Sequence, residues 1–353
     1  SFETKLKEYL NSEHVVAVNS CTAALHLAIA AFKYDPGDRF IAPTYTFVAT
    51  VEAGEYLGMN PVLVDCDDNY NIDLNLTEDI LKKDKKIKCV IPVHFGGFPV
   101  DMRALNFLGK KYGVNIIEDA AHALESISSS GKVGITSDAA CFSFYANKNI
   151  TTAGEGGAVS TNNSDYADRI RKLSLHGMSK DGWKRFARGG KWGYDISELG
   201  YKYNLTDLAA SFGIWQLNQV KNWSKRRAFI VKSYLRNFKK IPGLVTSADI
   251  PNSLNHANHL FIVRIDAKYW KISRDQVIQE LNRRGIGTSV HYIPIHMHSY
   301  YVKKYNFKAS DFPAAKSLYE KVVSLPLYPS LKDEEINYIV GAFLEIWNKN
   351  KKN

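Results

Sequence analysis

Val114-Asn115-Ile116-Ile117-Glu118-Asp119-Ala120-Ala121-His122 is the stretch of this 353-residue sequence that decides its fold class. Its apolar part predicts a short buried strand at Asn115–Glu118. Similar strands are predicted before and after it, at Cys89–Val93 and Ala139–Phe144. A carboxylate at the carboxyl end of a parallel strand faces the crevice where ligands bind, so we expect Asp119 in a ligand site. An isolated aspartate at such a point is also typical of a helix N-cap.

Short strands and amphipathic helices alternate along the first 160 residues. This alternation predicts an α/β fold with three layers, αβα, in which helices cover both faces of a mostly parallel sheet. The pattern becomes more helical after Thr161 and restarts near residue 240. We therefore predict a large domain over residues 1–240 and a smaller C-terminal α+β domain over residues 241–353. The other predicted segments are helices at Ala24–Phe32, Leu76–Lys83, Arg103–Tyr112, Tyr166–Leu173, Leu205–Val220, Trp223–Phe238, Arg274–Arg284, Leu318–Ser324 and Asp333–Trp347, and strands at Phe40–Ala42, Val62–Val64, His259–Ile265 and Thr288–Tyr292.

Composition and cysteine spacing argue against several classes of protein. The contents of hydrophobic residues, 45%, and charged residues, 23%, are ordinary for a soluble globular protein. The sequence has no run of about twenty apolar residues, so we expect no membrane partner. Four cysteines, Cys21, Cys66, Cys89 and Cys141, lie far apart and form no CxxC pair. This spacing argues against a metal site and a disulfide framework, and it indicates the reducing cytoplasm.

The formal net charge is +10, and basic residues are dense over Arg169–Lys191 and Lys221–Lys240. Positive charge of this size attracts either nucleic acids or small anionic substrates, and it also occurs on solvated helix faces. Because no nucleic-acid-binding module accompanies the charge, we expect no nucleic-acid partner.

A lysine shortly after the strand Ala139–Phe144 is the first candidate for covalent chemistry. It lies in the run Ser143-Phe144-Tyr145-Ala146-Asn147-Lys148-Asn149, and a glycine-rich turn follows at Gly154-Glu155-Gly156-Gly157. A strand end and a tight turn can hold an amine in a fixed pocket, where it forms an imine with an aldehyde cofactor and later transfers protons. A single lysine in a loop is most often a solvated charge, so the hypothesis depends on the surrounding run.

Two segments near the N-terminus offer groups for an anion and for an aromatic ring. The segment Val18–His26 joins a strand to an Ala-rich helix, whose first N–H groups suit a phosphate together with the Thr22 hydroxyl. Phe47 follows another strand and can stack on a flat heteroaromatic ring. Taken singly, a helix cap and core packing are the commoner roles of such residues.

These runs, in this order and spacing, resemble the DegT/DnrJ/StrS family of sugar aminotransferases from Phe2 to about Trp347. The runs Ile117–His122 and Ser143–Gly157 are highly specific to that family. The resemblance implies the fold type I architecture of pyridoxal phosphate (PLP) enzymes, with PLP as cofactor. Family members usually carry a further N-terminal stretch before the residue that matches Phe2, and part of that stretch contacts the sugar nucleotide.

The resemblance also implies a role for each candidate residue. Lys148 holds PLP as a Schiff base and moves the proton between the donor Cα and C4′ of the cofactor. Asp119 pairs with the pyridine nitrogen, and His122 stands near the phenolic oxygen, where the family often has Gln or His. The remaining implied cofactor contacts are ring stacking by Phe47 and phosphate binding by Cys21, Thr22 and Ser143.

The segment Glu198–Asp207 matches the same family. The family residue at the position of Asn204 reaches across a dimer interface to the phosphate of the neighbouring subunit. The resemblance therefore implies a homodimer with shared active sites. Asn204 is also placed to cap the helix predicted from Leu205.

For the substrate, the resemblance implies transfer of an amino group, usually from L-glutamate, to a keto sugar on a nucleoside diphosphate. The diphosphate suits the basic charge of the chain. Tyr201–Asp207 is similar to members that aminate C4 of UDP-linked sugars, an activity that serves lipopolysaccharide or other surface polysaccharide biosynthesis. A structural role is about as common for a single histidine as a binding role. The candidate contacts to the sugar nucleotide are His176, Trp183, Arg185, Trp192, His291 and His296.

Three alternative functions are consistent with parts of the sequence pattern. PLP-dependent sugar dehydratases of the wider family have histidine in place of the lysine, so Lys148 favours transamination, while epimerisation or another PLP reaction stays an alternative. A non-catalytic sugar-nucleotide-binding regulatory protein is expected to have lost Lys148 or Asp119. A dinucleotide-dependent dehydrogenase is disfavoured because no GxGxxG motif follows the first strand.

Overall fold

A seven-stranded sheet forms the centre of the molecule. The computed structural model describes residues 1–178, 194–242, 244 and 255–352. Within these ranges the first nine strands are β1 His14–Val18, β2 Arg39–Pro43, β3 Asn60–Val64, β4 Ile87–Val90, β5 Asn115–Asp119, β6 Ile127–Ser128, β7 Gly131–Lys132, β8 Ala139–Ser143 and β9 Gly157–Thr161. The sheet has the order β1-β9-β8-β5-β4-β2-β3, while β6 and β7 form a separate two-stranded ribbon. Only β9 runs antiparallel to its neighbours, so the sheet is mostly parallel, as predicted.

Helices cover both faces of the sheet because consecutive strand residues point to opposite sides. Phe40 packs in the core beneath the helix Cys21–Ala31. Its neighbour Ile41 packs in another core beneath the helices Leu74–Lys83 and Met102–Tyr112. This arrangement confirms the predicted three-layer α/β fold.

Local side-chain hydrogen bonds fix where several helices begin. Asp73 accepts hydrogen bonds from the N–H groups of Asn75 and Leu76, and Asp101 accepts them in the same way at the start of the helix Met102–Tyr112. None of the helices in the described ranges is both long enough and apolar enough to span a membrane. The other described α-helices are Phe2–Leu10, Ala49–Glu55, Ser164–Leu173, Asp207–Phe238, Arg274–Arg283, Ser299–Tyr305, Pro313–Lys321 and Asp333–Asn350.

A further core lies in the C-terminal part of the chain. The strands β10 Phe261–Arg264 and β11 Val322–Leu325 pair antiparallel there. They pack with the helices Arg274–Arg283 and Asp333–Asn350 and with the last turns of the helix Asp207–Phe238. These elements have the expected α+β character, while the domain boundary near residue 240 stays a prediction.

One long helix replaces two that were predicted. The pattern gave separate helices at Leu205–Val220 and Trp223–Phe238, but the structure has a continuous helix at Asp207–Phe238. The residues between the two predicted segments are Lys221 and Asn222, and neither is a helix breaker such as Gly or Pro. The helix therefore continues from a core that contains Leu217 and Val220 to the C-terminal core.

Two predictions in the C-terminal part were also wrong. The predicted helix Leu318–Ser324 ends at Lys321, because the β-branched pair that follows enters β11 and bonds with β10. The predicted strand Thr288–Tyr292 is irregular, apart from a single antiparallel bridge between Ser289 and Ser324. This irregular segment forms a wall of the site described next.

Candidate active site

A cavity of about 530 Å³ lies at the carboxyl ends of β5 and β8. Its other walls are the first residues of the helix Cys21–Ala31, the loop before the helix Ala49–Glu55, and the irregular segment near residue 291. This is the position at which parallel α/β sheets bind ligands. The predicted site residues that line the cavity are Cys21, Thr22, Phe47, Asp119, His122, Ser143, Lys148 and His291.

Lys148 lies in the connection between β8 and β9. The connection continues the pairing of these strands, because the N–H groups of Phe144 and Ala146 donate to the carbonyls of Gly156 and Gly154. A turn then places Lys148, whose N–H donates to the Tyr145 carbonyl at 3.0 Å. Burial lowers the pKa of the Lys148 amine, although the nearby Cys21 and Asp119 side chains oppose this shift. A lowered pKa increases the uncharged, nucleophilic fraction of the amine at neutral pH.

Asp119 is the last residue of β5 and is 5% exposed. Its Oδ2 accepts a hydrogen bond from the Thr50 hydroxyl at 2.7 Å, and its Oδ1 accepts one from the Ala121 N–H at 3.1 Å. Burial raises the pKa of the Asp119 carboxyl, while these two donors and the Lys148 charge lower it. A buried carboxylate beside a cavity is suited to pair with a protonated nitrogen of a ligand.

His122 faces the cavity from the segment after β5. Its Nδ1 accepts a hydrogen bond from the Gly96 N–H at 3.2 Å, and its Nε2 lies 3.2 Å from the Tyr292 hydroxyl. Burial holds the pKa of the His122 imidazole well below its ordinary value, and the Lys148 charge lowers it further. A neutral imidazole that accepts at Nδ1 carries its proton on Nε2, which points toward the cavity.

The start of the helix Cys21–Ala31 provides an anion site. The Ser20 side chain caps this helix by accepting a hydrogen bond from the Ala23 N–H at 3.0 Å. The backbone N–H groups of the first helical residues have no partner within the helix, so they are available to an anion. β9 passes close to this turn, since a Cβ on Gly157 would lie 2.5 Å from the Ser20 carbonyl carbon. Glycine is therefore required where β9 meets the turn.

Phe47 projects its ring into the cavity and does not pack in a core. Its side chain is 57% exposed, and its ring centroid lies 5.9 Å from that of Tyr292. Tyr292 is a wall residue whose hydroxyl is directed at His122. An exposed aromatic face at this position is available to stack on a planar ligand.

Some predicted site residues lie away from this cavity. Asn204 lines a separate polar cavity near Arg171, and His176 lies in a turn where its N–H donates to the Tyr201 carbonyl at 2.8 Å. His296 is fully buried, with its Nδ1 2.7 Å from the Thr44 hydroxyl. The predicted contacts outside the described residues are Trp183, Arg185 and Trp192.

Sequence reasoning missed four residues that shape the site. Thr50 lies in the first turn of the helix Ala49–Glu55, and its hydroxyl is 2.9 Å from that of Thr46 in the loop before the helix. The contacts of Tyr292, Asn149 and His259 depend on tertiary packing across more than 100 residues of sequence. No local pattern could have predicted these contacts.

PLP presents an aldehyde, a pyridine nitrogen and a phosphate, and the cavity has a suitable group for each. The Lys148 amine suits the aldehyde, and the Asp119 carboxylate suits the nitrogen. The helix start at Cys21 suits the phosphate. The residues present therefore fit this cofactor. In the described ranges, no cluster of three or more His, Cys, Asp or Glu side chains could hold a metal ion.

Comparison with known proteins agrees with this fit. The fold and the cavity define a PLP-dependent aminotransferase of fold type I. The chain belongs to the DegT/DnrJ/EryC1/StrS aminotransferase family, whose model matches residues 1–344. The enzyme transfers an amino group to a keto sugar, with PLP as its cofactor. The predictions of family, fold, cofactor and enzyme class are thereby confirmed.

Three similar proteins illustrate the relationship. The spore coat polysaccharide biosynthesis protein SpsC of Bacillus subtilis is 41% identical over 347 residues, which cover 98% of this chain and 88% of SpsC. Spr1654 from Streptococcus pneumoniae, assigned as a sugar aminotransferase and solved in its PMP form, is 32% identical with a TM-score of 0.90, covering 99% of this chain and 91% of that chain. PseC from Helicobacter pylori, an aminotransferase involved in pseudoaminic acid biosynthesis, is 28% identical with a TM-score of 0.91, covering 99% and 90%.

Proposed function

We propose that this enzyme transfers the amino group of L-glutamate to C4 of a UDP-linked 4-keto sugar. The observation that carries the proposal is the placement of Lys148 and Asp119 on one cavity, which adjoins a second cavity of about 470 Å³. The two cavities share Thr46, Phe47 and Tyr292 as lining residues, so a sugar nucleotide has room beside the cofactor. The net charge of +10 favours an anionic diphosphate substrate.

Lys148, Asp119 and His122 are the proposed catalytic residues. When bound, PLP supplies an aldehyde and an electron-accepting ring. The pKa of the Lys148 amine is lowered by burial. This amine accepts the proton from the donor Cα and returns it at C4′ of the cofactor. Asp119 keeps the ring nitrogen protonated, and the Nε2–H of His122 donates toward the phenolic oxygen.

The remaining residues of the cavity hold the cofactor. We assign the phosphate to the helix start at Cys21 and Thr22 together with Ser143, all of which line the cavity. Phe47 stacks on the ring through its exposed face. These contacts fix the ring between Lys148 and the carboxylate, which gives the reaction its proximity advantage.

We propose a homodimer in which Asn204 completes the phosphate site of the partner. Asn204 lies outside the Lys148 cavity of its own chain, which agrees with a role in another subunit. The neighbouring segment exposes large apolar side chains, and such surfaces mark protein interfaces. These exposed residues are Leu199, Leu208, Phe212 and Trp215.

The residues proposed to act on the sugar nucleotide are His176, Arg185, His291 and His296. His291 lines the cavity, and burial lowers its pKa to about 4, so it offers a neutral imidazole to the sugar. We also propose His176 and Arg185 as contacts to the sugar nucleotide. His296 is fully buried against Thr44 and lines neither cavity, so in its own chain we propose for it only an indirect effect through packing.

We further propose that the product enters surface polysaccharide biosynthesis in the cytoplasm. The name of the relative SpsC refers to spore coat polysaccharide, which supports such a pathway. The free thiols of all four cysteines agree with a reducing compartment.

A substrate screen tests the proposed function. The PLP-loaded enzyme is incubated with L-glutamate and UDP-, dTDP- or GDP-linked 4-keto sugars, and the products are identified by mass spectrometry and NMR. We expect a 4-amino product from the UDP sugar and formation of 2-oxoglutarate. Preference for another nucleotide, amination at C3, or dependence on another donor would contradict the corresponding part of the proposal.

A further inference from the structure

A buried histidine, His259, lies directly behind His122 and outside the cavity. The ring of His259 stacks on the ring of His122, with a centroid distance of 4.2 Å and an interplanar angle of 27°. His259 is 6% exposed, and it does not line the cavity. It therefore touches the cavity residue His122 without being placed to touch a ligand.

One hydrogen bond orients His259. Its Nδ1 lies 3.0 Å from Oδ1 of Asn149. The amide nitrogen of Asn149 donates to Oε2 of Glu125 and to the Ala257 carbonyl, each at 2.9 Å. Because the Ala257 carbonyl can only accept, Oδ1 of Asn149 must face His259, and Nδ1 of His259 must be the donor.

His122 needs this support because its own bonds lie at the edge of the ring. The Gly96 N–H and the Tyr292 hydroxyl hold its two nitrogens, but hydrogen bonds in the ring plane resist tilting only weakly. His259 covers one face of the ring, so a tilt toward that side meets a packed neighbour. The stack thereby holds Nε2–H of His122 on the cavity side, where the Tyr292 hydroxyl, another lining residue, is its partner in this structure.

The same loop positions the amine and anchors the stack. Lys148 and Asn149 are consecutive, and Lys148 lines the cavity while Asn149 is 6% exposed and bonds behind it. Burial and the neighbouring positive charges hold the pKa of His259 well below its ordinary value. A neutral His259 avoids placing a second cation against His122, on the side of its ring away from the cavity.

We propose that His259, through its stacked ring, is a positioning residue that keeps the His122 imidazole aimed at the phenolic oxygen of the cofactor. The inference rests on the proposed role of His122. A donor to that oxygen stabilises its anionic form and lowers the pH at which the bound cofactor titrates. Loss of the alignment should therefore raise the midpoint of that titration, which is visible in the absorption spectrum without any substrate.

Three variants of the PLP-loaded enzyme test the proposal. His259→Asn retains a donor near the position of Nδ1 but removes the stacked ring. His259→Phe retains a stacked ring but loses the hydrogen bond to Asn149. His256→Asn is the matched control, because His256 is a partly buried histidine of the same segment whose ring packs on Phe98.

We expect His259→Asn to raise the absorption midpoint by about one pH unit, the effect of one charge-assisted hydrogen bond. Its kcat should fall about tenfold, as for orienting partners of other functional histidines, with KM for the amino donor little changed. His259→Phe and His256→Asn should both keep the wild-type midpoint. If His259→Asn does not fold, His259→Leu replaces it with the same expectation.

His122→Phe separates this inference from the role on which it rests. A raised midpoint in His122→Phe, together with a wild-type midpoint and kcat in His259→Asn, would overturn the inference alone. A wild-type midpoint in His122→Phe would overturn the proposed role of His122 and the inference with it. Raised midpoints in both variants, with no shift in His259→Phe, support the positioning role.

Discussion

At the scale of single residues, burial and hydrogen-bond donors have opposite effects on the charge of Asp119. Burial alone would raise the pKa of Asp119 and favour its neutral form. The Thr50 hydroxyl, the Ala121 N–H and the Lys148 charge counter this effect. Thr50 therefore helps to decide whether Asp119 carries the negative charge that its proposed pairing with a protonated ring nitrogen needs.

Replacing Thr50 tests this dependence. Thr50→Val removes the 2.7 Å hydrogen bond to Asp119 with little change of volume, so the Asp119 pKa should rise. We expect kcat to fall by about tenfold or more, since a hydrogen bond to a charged group contributes about 1.5–3 kcal/mol. The acid limb of the kcat–pH profile should also move to higher pH.

Thr50→Ser is the matched control for this variant, because it keeps the hydroxyl. It should retain most of the wild-type kcat and an unchanged acid limb. The account of Asp119 would be wrong if Thr50→Val and Thr50→Ser gave the same profile.

At the scale of elements, the Asp65 side chain at the end of a sheet strand caps a helix that lies about 250 residues later in the chain. Asp65 directly follows β3, and its carboxylate accepts hydrogen bonds from the N–H groups of Ala314 and Ala315 at 2.9 and 2.8 Å. These groups begin the helix Pro313–Lys321. Asp65 thus joins the edge of the sheet to the C-terminal part of the chain.

Removing this cap should destabilise more than a local helix end. We expect Asp65→Ala to reduce the free energy of unfolding by about 2 kcal/mol, at the upper end for a helix cap, because the carboxylate is buried and holds two N–H groups. Asp73→Ala is the control, since Asp73 caps the helix Leu74–Lys83 that follows it directly. Its expected loss is about 1 kcal/mol.

Urea unfolding of both variants at the same pH provides the comparison. The prediction would be wrong if Asp65→Ala lost no more free energy of unfolding than Asp73→Ala, because the long-range cap would then stabilise the fold no more than a local cap does.

The elements that could be predicted are those with a strong local pattern. Asn115–Asp119 and Met102–Tyr112 lie within one residue of the predicted bounds, since buried strands and capped amphipathic helices have clear periodicity. The end of the helix Pro313–Lys321 was missed because β11 forms only by pairing with the distant β10. Tertiary pairing overrides local propensity in such segments.

At the scale of the whole molecule, Glu125 marks a point where distant parts of the chain meet. Its Oε2 accepts from Asn149 in the Lys148 loop, and it interacts electrostatically with Arg227 of the helix Asp207–Phe238 and with Tyr9 of the first helix. Burial raises the pKa of Glu125 to about 7. The protonation of this one carboxyl is therefore linked to the stability of the fold.

The sign of the linkage gives a pH prediction. Between about pH 4.5, the ordinary pKa, and pH 7 the folded chain holds the Glu125 proton and the unfolded chain does not, so stability falls as pH rises. Glu125→Gln keeps an acceptor for Asn149 and cannot ionise. We expect it to be more stable relative to wild type at pH 8 than at pH 5, by about 2–3 kcal/mol.

Urea unfolding at the two pH values measures this difference. Glu8→Gln is the control, because it makes the same change of charge on an exposed side chain. A difference between Glu125→Gln and wild type that did not grow with pH would contradict the linkage.

The place of several proposed cofactor residues on one cavity could be predicted from sequence because local order and topology decide their location. Asp119 ends β5, Cys21 begins a helix, and Lys148 lies in the connection that follows β8. His296 has the same residue type as His291, but its place is set by packing against Thr44. Sequence pattern alone could not distinguish these two histidines.

The central claim is that Lys148 is the residue joined to the cofactor in this cavity, and borohydride reduction tests it most directly. The PLP-loaded protein is reduced, digested and analysed by mass spectrometry, with Lys148→Ala and Lys202→Ala treated in parallel. We expect the pyridoxyl mass on the peptide that contains Lys148, its loss in Lys148→Ala and its retention in Lys202→Ala. A label on a different lysine of the wild-type protein, or equal labelling of Lys148→Ala, would contradict the account.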